Sequence, residues 1–341
     1  MRAIGIDTHK ATLAACVVDE LGLPLAEATF ANDPAGHRAL AAWAGAVAPG
    51  GLIGLEGSAG FGAAAARFLL AQGREVREVP PQLSHRERMR TRRAGKSDPG
   101  DALAIARVTA REPDLPPVRR ADASRALQLL VEAREDLVAE ATRVRNRLHA
   151  DLVVLLPGYG VAAVNLVAAR HRASIGARLR RLPGVQAELA RERLARLGRL
   201  MAEADRLEAR LAVLVADHPL RTLPGAGVLV TAKLVGEAGD VRRFRSEAAF
   251  AMLAGVAPIP ASSGQTQRMR LNRGGNRQLN RALHVIALAQ AWHDERARTF
   301  VARKRAAGHT WREAIRALKR HLARVVYRLL VAGASAPDPA T

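Results

Sequence analysis

An α/β domain followed by an all-α remainder is the fold class this sequence predicts, on three observations. Within the first hundred residues, short apolar runs alternate with tight turns and helix-length segments. From about Ser124 onward the apolar residues recur with the 3.6-residue period of helices, and the first long run breaks at Pro157-Gly158. At 341 residues the chain is long enough for two or three domains, each with its own core.

Arg2 to Asp7 reads as a short buried strand. Ala11 to Val18 is a second, after the Thr-His-Lys turn, and Leu25 to Ala31 a third, reached through Gly-Leu-Pro. Three short strands on tight turns make an antiparallel meander. Pro34 to Ala48 is expected to be helical, with Asp33 as N-cap and proline at the first position. Gly51 to Leu55 is a buried strand ending at Glu56. Phe61 to Ala71 is a helix and Glu75 to Val79 a strand; an arginine-rich loop then leads into a helix over Pro99 to Arg111. The order β-β-β-α-β-α-β-α is that of the ribonuclease-H-like fold.

Charge narrows the function. Lys and Arg number 53 against 32 Asp and Glu, a net charge of +21. Such a surface attracts polyanions, nucleic acid first and an anionic membrane second. The chain is rich in Ala and Arg and poor in Lys, but replacing Lys by Arg leaves net charge unchanged. The excess still needs a partner. The single Cys16 excludes an intramolecular disulfide and a cysteine-rich zinc site, and is expected to pack as a small apolar residue. Asp7 and His9 interrupt the first apolar run, so no signal peptide is expected there. No stretch reaches the ~18 apolar residues of a membrane span. The expectation is a soluble cytoplasmic protein with no membrane partner.

Four acids stand out against this basic background. Asp7 closes the first strand and Glu56 the fourth, and sites in open α/β sheets form beyond the carboxyl ends of strands. In KSDPGDALAIAR, Asp98 and Asp101 share one face of a helix's first turn. Each has a plainer reading: Asp98 as an N-cap, Asp101 as a complement to the helix dipole, Asp7 as a turn residue, Glu56 as a solvated strand end. Carboxylates gathered beside a polyphosphate repel one another, and magnesium gives a reason for gathering them. Two such ions roughly 4 Å apart stabilise the entering and leaving oxygens of a phosphodiester.

The middle of the chain reads as a helical spacer. One helix runs from about Ser124 to Leu156 and another from about Gln186 to Ala216. Leu197, Leu200, Ala204, Leu207, Leu211 and Leu214 form a short heptad seam, equally suited to a hairpin within the chain or a coiled coil between chains. Further on, Leu-Pro-Gly-Ala-Gly, with Gly225 and Gly227, resembles the turn of a helix-hairpin-helix, whose backbone N–H groups approach a phosphate. A proline-rich loop, Ser262-Ser263-Gly264, a basic strand-like piece and an Arg-Gly-Gly-Asn turn precede a basic helix. A serine before glycine suits a nucleophile, although most such pairs are turns and no histidine stands beside this one. From Trp292 to Leu330 the chain reads as helical, with Trp311, Leu318, Leu322 and Val325 as a core-facing stripe. The Pro/Ala tail is expected to be disordered.

GIDTHK around Asp7, LEGSAGFG around Glu56 and KSDPGDA around Asp98 and Asp101 resemble the DEDD motifs of a group of insertion-sequence transposases. These carry an N-terminal RuvC-like domain and are described as bridge-RNA-guided recombinases. The block from Gly255 to Arg281 resembles that family's C-terminal transposase domain, although Asn280 stands between Leu279 and Arg281 where the family has Leu-Arg. The resemblance implies that Asp7, Glu56, Asp98 and Asp101 bind magnesium, with manganese as a substitute, and that Ser263, or Ser262 one place earlier, forms a covalent phosphoserine link. It implies DNA as donor and target, a guide RNA, and a homodimer or homotetramer built through the spacer as a coiled coil. Arg90, Arg92, Arg93, Lys96, Gly225, Gly227, Arg268, Arg270, Arg273, Asn276, Arg277 and Arg281 are the expected nucleic-acid contacts. The corresponding domains are 1–115 (RuvC-like), 116–217 (spacer) and 218–330 (transposase domain), with 331–341 as tail. Two other readings remain open: a RuvC-type endonuclease using acids and metal-activated water alone, and a non-catalytic nucleic-acid-binding scaffold.

Overall fold

A computed structural model of the chain describes residues 2–90, 98–118, 123–260, 269, 270, 272 and 274–334, with backbone alone at Asp98, Pro99, Pro260, Met269 and Arg270. The chain divides into two units, Met1–Ala121 and Asp122–Thr341.

The first unit is built on five strands: β1 (Ala3–Thr8), β2 (Thr12–Val18), β3 (Pro24–Ala31), β4 (Leu52–Leu55) and β5 (Val76–Glu78). Their order is β3-β2-β1-β4-β5. The first three are antiparallel neighbours, whereas β4 runs parallel to β1 and β5 parallel to β4. This is the ribonuclease-H-like arrangement. The helices are α1 (Pro34–Val47), α2 (Ala63–Ala71), α3 (Pro81–Arg90) and α4 (Asp98–Arg111). Asp33 caps α1 as expected, its carboxylate accepting from the Gly36 N–H at 2.7 Å.

Alternation along the strands divides the sheet into two unlike faces. Ile4, Ile6, Leu13, Ala15, Val17, Ile53 and Leu55 form one core with Leu40, Ala44, Ala65 and Leu69 of α1 and α2. On the opposite face, Ala3, Ala14, Cys16 and Val18 pack against Ala102 and Ala106 of α4. Gly5 and Gly54 lie on that second face. A Cβ on Gly5 would fall 2.1 Å from the Ala106 nitrogen, and one on Gly54 1.8 Å from Thr109 Oγ1. Missing side chains thus let α4 lie directly on β1 and β4. Cys16 behaves as expected: it is buried in β2, and burial pushes its thiol up to about 12.

One element corrects the sequence reading. The arginine-rich stretch expected as a loop is helical from Pro81 to Arg90. Its buried residues are Ser84 and Glu87, so the inward face is polar and hydrophobic periodicity carries no trace of it.

The second unit contains α5 (Ala123–Leu155), α6 (Ala169–Leu179), α7 (Val185–Leu214), α8 (Val228–Ala238), α9 (Glu247–Leu253), α10 (Arg277–His293), α11 (Glu295–Ala306) and α12 (Trp311–Ala334), with a short β6–β7 pair (Ile259–Pro260, Met269–Arg270). Helices α5 and α7 form an antiparallel hairpin. Leu197 and Leu200 pack with Val144 and Leu148 at one end, and Leu211 with Leu127 and Val131 at the other. Ion pairs Arg134–Glu208 at 2.9 Å, Arg196–Glu140 at 2.6 Å and Arg193–Asp151 run along the joint. Of the heptad seam, Leu197, Leu200, Ala204 and Leu211 are buried within the chain, Leu207 is half-buried and Leu214 is exposed. At 1.5 Å per residue α5 is about 50 Å long.

The largest core of this unit gathers α8, α9, α10, α11 and α12 around Phe250, Leu283, Ile286, Ile315 and Val326. The α12 stripe is displaced from the expected one. Leu318 and Leu322 are buried, but Val326 rather than Val325 continues the stripe, and Ala314 and Ile315 begin it. Trp311 instead lies partly exposed and packs at a tilt on exposed Trp292, with ring centroids 6.4 Å apart.

Candidate active site

Strand polarity places the first two acids. Asp7 lies near the end of β1, opposite Ala14 of β2, and Glu56 follows the last residue of β4. The Glu56 N–H donates to the Ile6 carbonyl at 3.2 Å, continuing the parallel ladder and fixing the two strand ends side by side. Gly5 and Asp7 are two residues apart on one face of β1, as Gly54 and Glu56 are at β4. The glycines admit α4, and α4 carries Asp101 one residue before Ala102, part of the turn that touches Gly5. Asp101 is 5% exposed. The Asp98 backbone begins α4; its side chain lies outside the described residues.

Two of the described acids act electrostatically on the third. Asp7's carboxyl is held above the usual carboxylate range, first by burial, then by the neighbouring charges of Asp101 and Glu56; His9 and the Thr8 N–H pull the other way. Asp7 Oδ1 accepts from the Thr8 N–H at 3.0 Å. Oδ2 is buried, accepts no hydrogen bond, and lies 3.1 Å from His9 Nε2. The other two acids are engaged by α3. Ser84 Oγ donates to Glu56 Oε2 at 2.5 Å, and Arg88 Nη1 lies 2.9 Å from Asp101 Oδ1.

A second tier of contacts holds the loop after Glu56. Gly57 has φ +80°, a conformation that favours glycine. Both carboxylate oxygens of Glu78 accept from this loop, one from the Gly57 N–H and one from the Ser58 N–H, each at 3.2 Å. Burial raises the Glu78 carboxyl above its usual range despite those bonds, and Glu56 adds to the shift. Thr8 Oγ1 donates to the Glu56 carbonyl at 2.9 Å. Sequence reasoning missed Ser84, Arg88 and Glu78. The recoverable signals were the Gly-x-Asp and Gly-x-Glu spacings at the two strand ends, which mark the face a helix covers.

The donor set suits a hard divalent cation: carboxylates alone, one with a buried oxygen that accepts no hydrogen bond. Among the described residues, no three His, Cys, Asp or Glu side chains are drawn together as ligands of one ion.

The expected nucleic-acid contacts fall in varied settings. Arg90 is exposed, 3.8 Å from Glu87. Arg92, Arg93, Lys96, Arg268, Arg273, Ser262 and Ser263 lie outside the described residues, as does the side chain of Arg270. The tail call at 331–341 is described only to Ala334, where α12 ends. Gly225 has φ +89° and sits so close to α10 that a Cβ would be 2.9 Å from that of Ala289; Gly227 precedes α8 with open space around it. Asn276 caps α10, accepting from the Gln278 and Leu279 N–H groups, and donates to Glu237 at 2.7 Å. Arg277 is exposed, and Arg281 lies 3.5 Å from Glu135. Asn280, the departure from the family pattern, donates to the carbonyls of Ala254 and Gly255 and accepts from Lys319 at 2.8 Å. It ties α10 and α12 to the turn after α9.

Comparison with known proteins finds matches along most of the chain. Residues 4–157 match the DEDD transposase model of the IS110 family, and residues 217–302 match the transposase model of the IS116/IS110/IS902 family. The IS900 uncharacterized 42 kDa protein of Mycobacterium paratuberculosis is 28% identical, over 96% of this chain and 94% of that protein. The transposase for insertion sequence element IS1328 of Yersinia enterocolitica is 25% identical, over 70% of each chain. Among solved structures, T. thermophilus RuvC in complex with a Holliday junction substrate matches 34% of this chain and 99% of its own, with 18% identity and a TM-score of 0.29. With two family models falling in order along it, on the acids and on the helical core described above, the chain belongs to the IS110/IS116 family of DEDD transposases.

Proposed function

We propose that this transposase cuts and rejoins DNA with two sets of groups, the acids of the first unit and a serine of the second. The observation that carries the reading is the placement of Asp7, Glu56 and Asp101 where β1, β4 and α4 meet, close enough for each to raise Asp7's affinity for a proton. Asp7, Glu56, Asp98 and Asp101 would hold magnesium, or manganese in its place. When bound, the ion supplies Lewis-acid stabilisation of the negative charge developing on a phosphodiester.

The chain's own residues do the rest. The β1–β4 ladder and the Glu78 contacts fix the loop that carries Glu56. Asp101 is buried and Asp7 partly so, and the lower local dielectric strengthens their field. Ser263, with Ser262 as the alternative, attacks phosphorus through Oγ. A serine–phosphate bond forms as the bond to the 3′ oxygen breaks, and that oxygen takes up a proton equivalent to the one the serine loses. A 3′ hydroxyl of another strand then reverses the exchange, so the number of phosphodiester links is conserved. The excess of positive charge holds donor and target DNA and a guide RNA, with pairing to that RNA supplying most of the sequence choice, as in other RNA-guided effectors. The resemblance supports a homodimer or homotetramer in which one subunit's acids serve another's serine. It also supports a cytoplasmic, nucleoid-associated location; no helix among the described residues is long and apolar enough to cross a membrane.

The test is a strand-transfer assay with DNA matched to RNA that co-purifies with the protein. Asp7→Asn and Ser263→Ala should each lower strand transfer by on the order of 10²-fold or more, as loss of a preorganised catalytic group does. Cleavage retained by Ser263→Ala would favour a nuclease using acids and water alone. Recombination retained by Asp7→Asn would overturn the role given to the acids, and binding of DNA with no strand transfer by the parent protein would leave a nucleic-acid-binding scaffold.

A further inference from the structure

Helix α3 touches the acid cluster in a way the four-acid motif does not include. Ser84, Glu87 and Arg88 are spaced i, i+3, i+4 and so share one face. Ser84, fully buried, gives its hydroxyl to Glu56, and Arg88 gives one guanidinium nitrogen to Asp101. Glu87 meets Arg111 of α4 at 2.7 Å, which fixes the register of the two helices. A cluster of carboxylates sheltered from water costs free energy unless positive charge or hydrogen-bond donors answer it. One face of α3 supplies both.

We propose that Arg88 is an exchangeable counter-ion for Asp101: it balances the acid cluster in the cation-free protein, competes with a divalent cation for Asp101, and on release binds a phosphate oxygen of the nucleic acid. The inference rests on the metal-binding reading above and adds to it a residue that couples ion loading to the phosphodiester. Asp101 Oδ1 cannot serve the guanidinium and a divalent cation at full strength together, since the two positive charges repel across one oxygen. Arg88 sits near the end of α3, and its side chain is one-third exposed against 8% for Asp101, so the arginine is the partner with room to move. A guanidinium stays charged throughout and presents a planar fork of donors that matches phosphate. Lysine offers the charge without the fork. Arg88 is thus a positioning residue for the ion and a phosphate ligand afterwards.

The experiment is a manganese titration of the full-length protein without nucleic acid, followed by calorimetry and electron paramagnetic resonance. Arg88→Ala and Arg88→Gln should each bind manganese at least about fivefold more tightly than the parent, the lower end of ordinary coupling between two ligands. Their affinity for short duplex DNA should fall instead, and Arg88→Lys should lie between on both measures. Arg88→Gln keeps most of the side chain's packing, and thermal melting reports whether either variant stays folded. Unchanged or weaker manganese binding by a folded Arg88→Gln protein would overturn the inference. Asp7→Asn and Asp101→Asn separate its failure from failure of the parent reading: should both leave manganese binding untouched, the metal site and the counter-ion role fall together. If both weaken it while Arg88→Gln does not tighten it, the counter-ion role falls alone.

Discussion

Asp7 shows what a catalytic position asks of a single residue. The folded protein holds its proton more tightly than an unfolded chain does, because burial and the charges of Asp101 and Glu56 disfavour the ionised form. Above the ordinary carboxyl value of 3.8, the ionised side chain therefore opposes folding, and the penalty is complete once the pH passes the raised folded value. Asp7→Asn removes that charge at every pH. The variant should melt at a higher temperature than the parent at neutral pH, with the gap closing as the pH is lowered and the parent's Asp7 takes up its proton. A gap that is constant or widens in acid would contradict the assignment of cause; the measurement is a set of thermal melts across the acid range. The residue's place at a strand end was legible in GIDTHK. The α3 partners of the neighbouring acids Glu56 and Asp101 were not, since Ser84 and Arg88 belong to a stretch that reads as loop.

At the scale of elements, the sheet and helices α1, α2 and α4 could be read within a residue or two, because alternation and turn chemistry agree there, whereas α3 was not read at all. Helix α4 shows how much more was needed to place the site. Its start was marked by Asp98-Pro99, but its closeness to the sheet depends on Gly5 and Gly54, whose lack of a side chain leaves no hydrophobic signature. Gly5→Ala would set a methyl group 2.1 Å from the Ala106 nitrogen and 2.4 Å from the Ala102 carbonyl oxygen, both backbone atoms that cannot swing aside. Overpacking of this kind costs about 1–3 kcal/mol, and a backbone clash belongs at the upper end. Urea unfolding should show that loss, and manganese affinity should drop with it as Asp101 is carried away from Asp7. The α5–α7 hairpin teaches a different lesson. Its seam was visible as a heptad pattern, but periodicity does not say whether the partner helix belongs to the same chain. The apolar stripe of α5, which takes up Leu197, Leu200 and Leu211 of the seam, had to be paired with α7 in three dimensions.

For the whole molecule, the dominant fact is the net charge of +21, and it was legible from composition alone. Binding driven by phosphate contacts releases condensed cations, so affinity for DNA or RNA should fall steeply with ionic strength. Between 50 and 200 mM salt a loss of about 10³-fold or more is expected if six or more phosphates are engaged. Filter binding across that range gives the slope directly; a shallow slope would mean that the charge faces solvent and serves solubility instead. What composition did not carry is the sorting of that charge. Arg111, Arg134, Arg193 and Arg196 are committed to carboxylates inside their own units, so the surplus available to nucleic acid is smaller than a count of basic residues suggests.

The two glycines beneath α4 carry a consequence of their own. The seat of this helix is set by hydrogen atoms: a side chain at Gly5 would press on the backbone of this rod, and one at Gly54 on its Thr109 side chain. An acid of the cluster rides on that rod. Residues that would never meet nucleic acid thereby govern the aperture of the site, and attempts to retune the enzyme by changing its acids alone would leave that lever untouched.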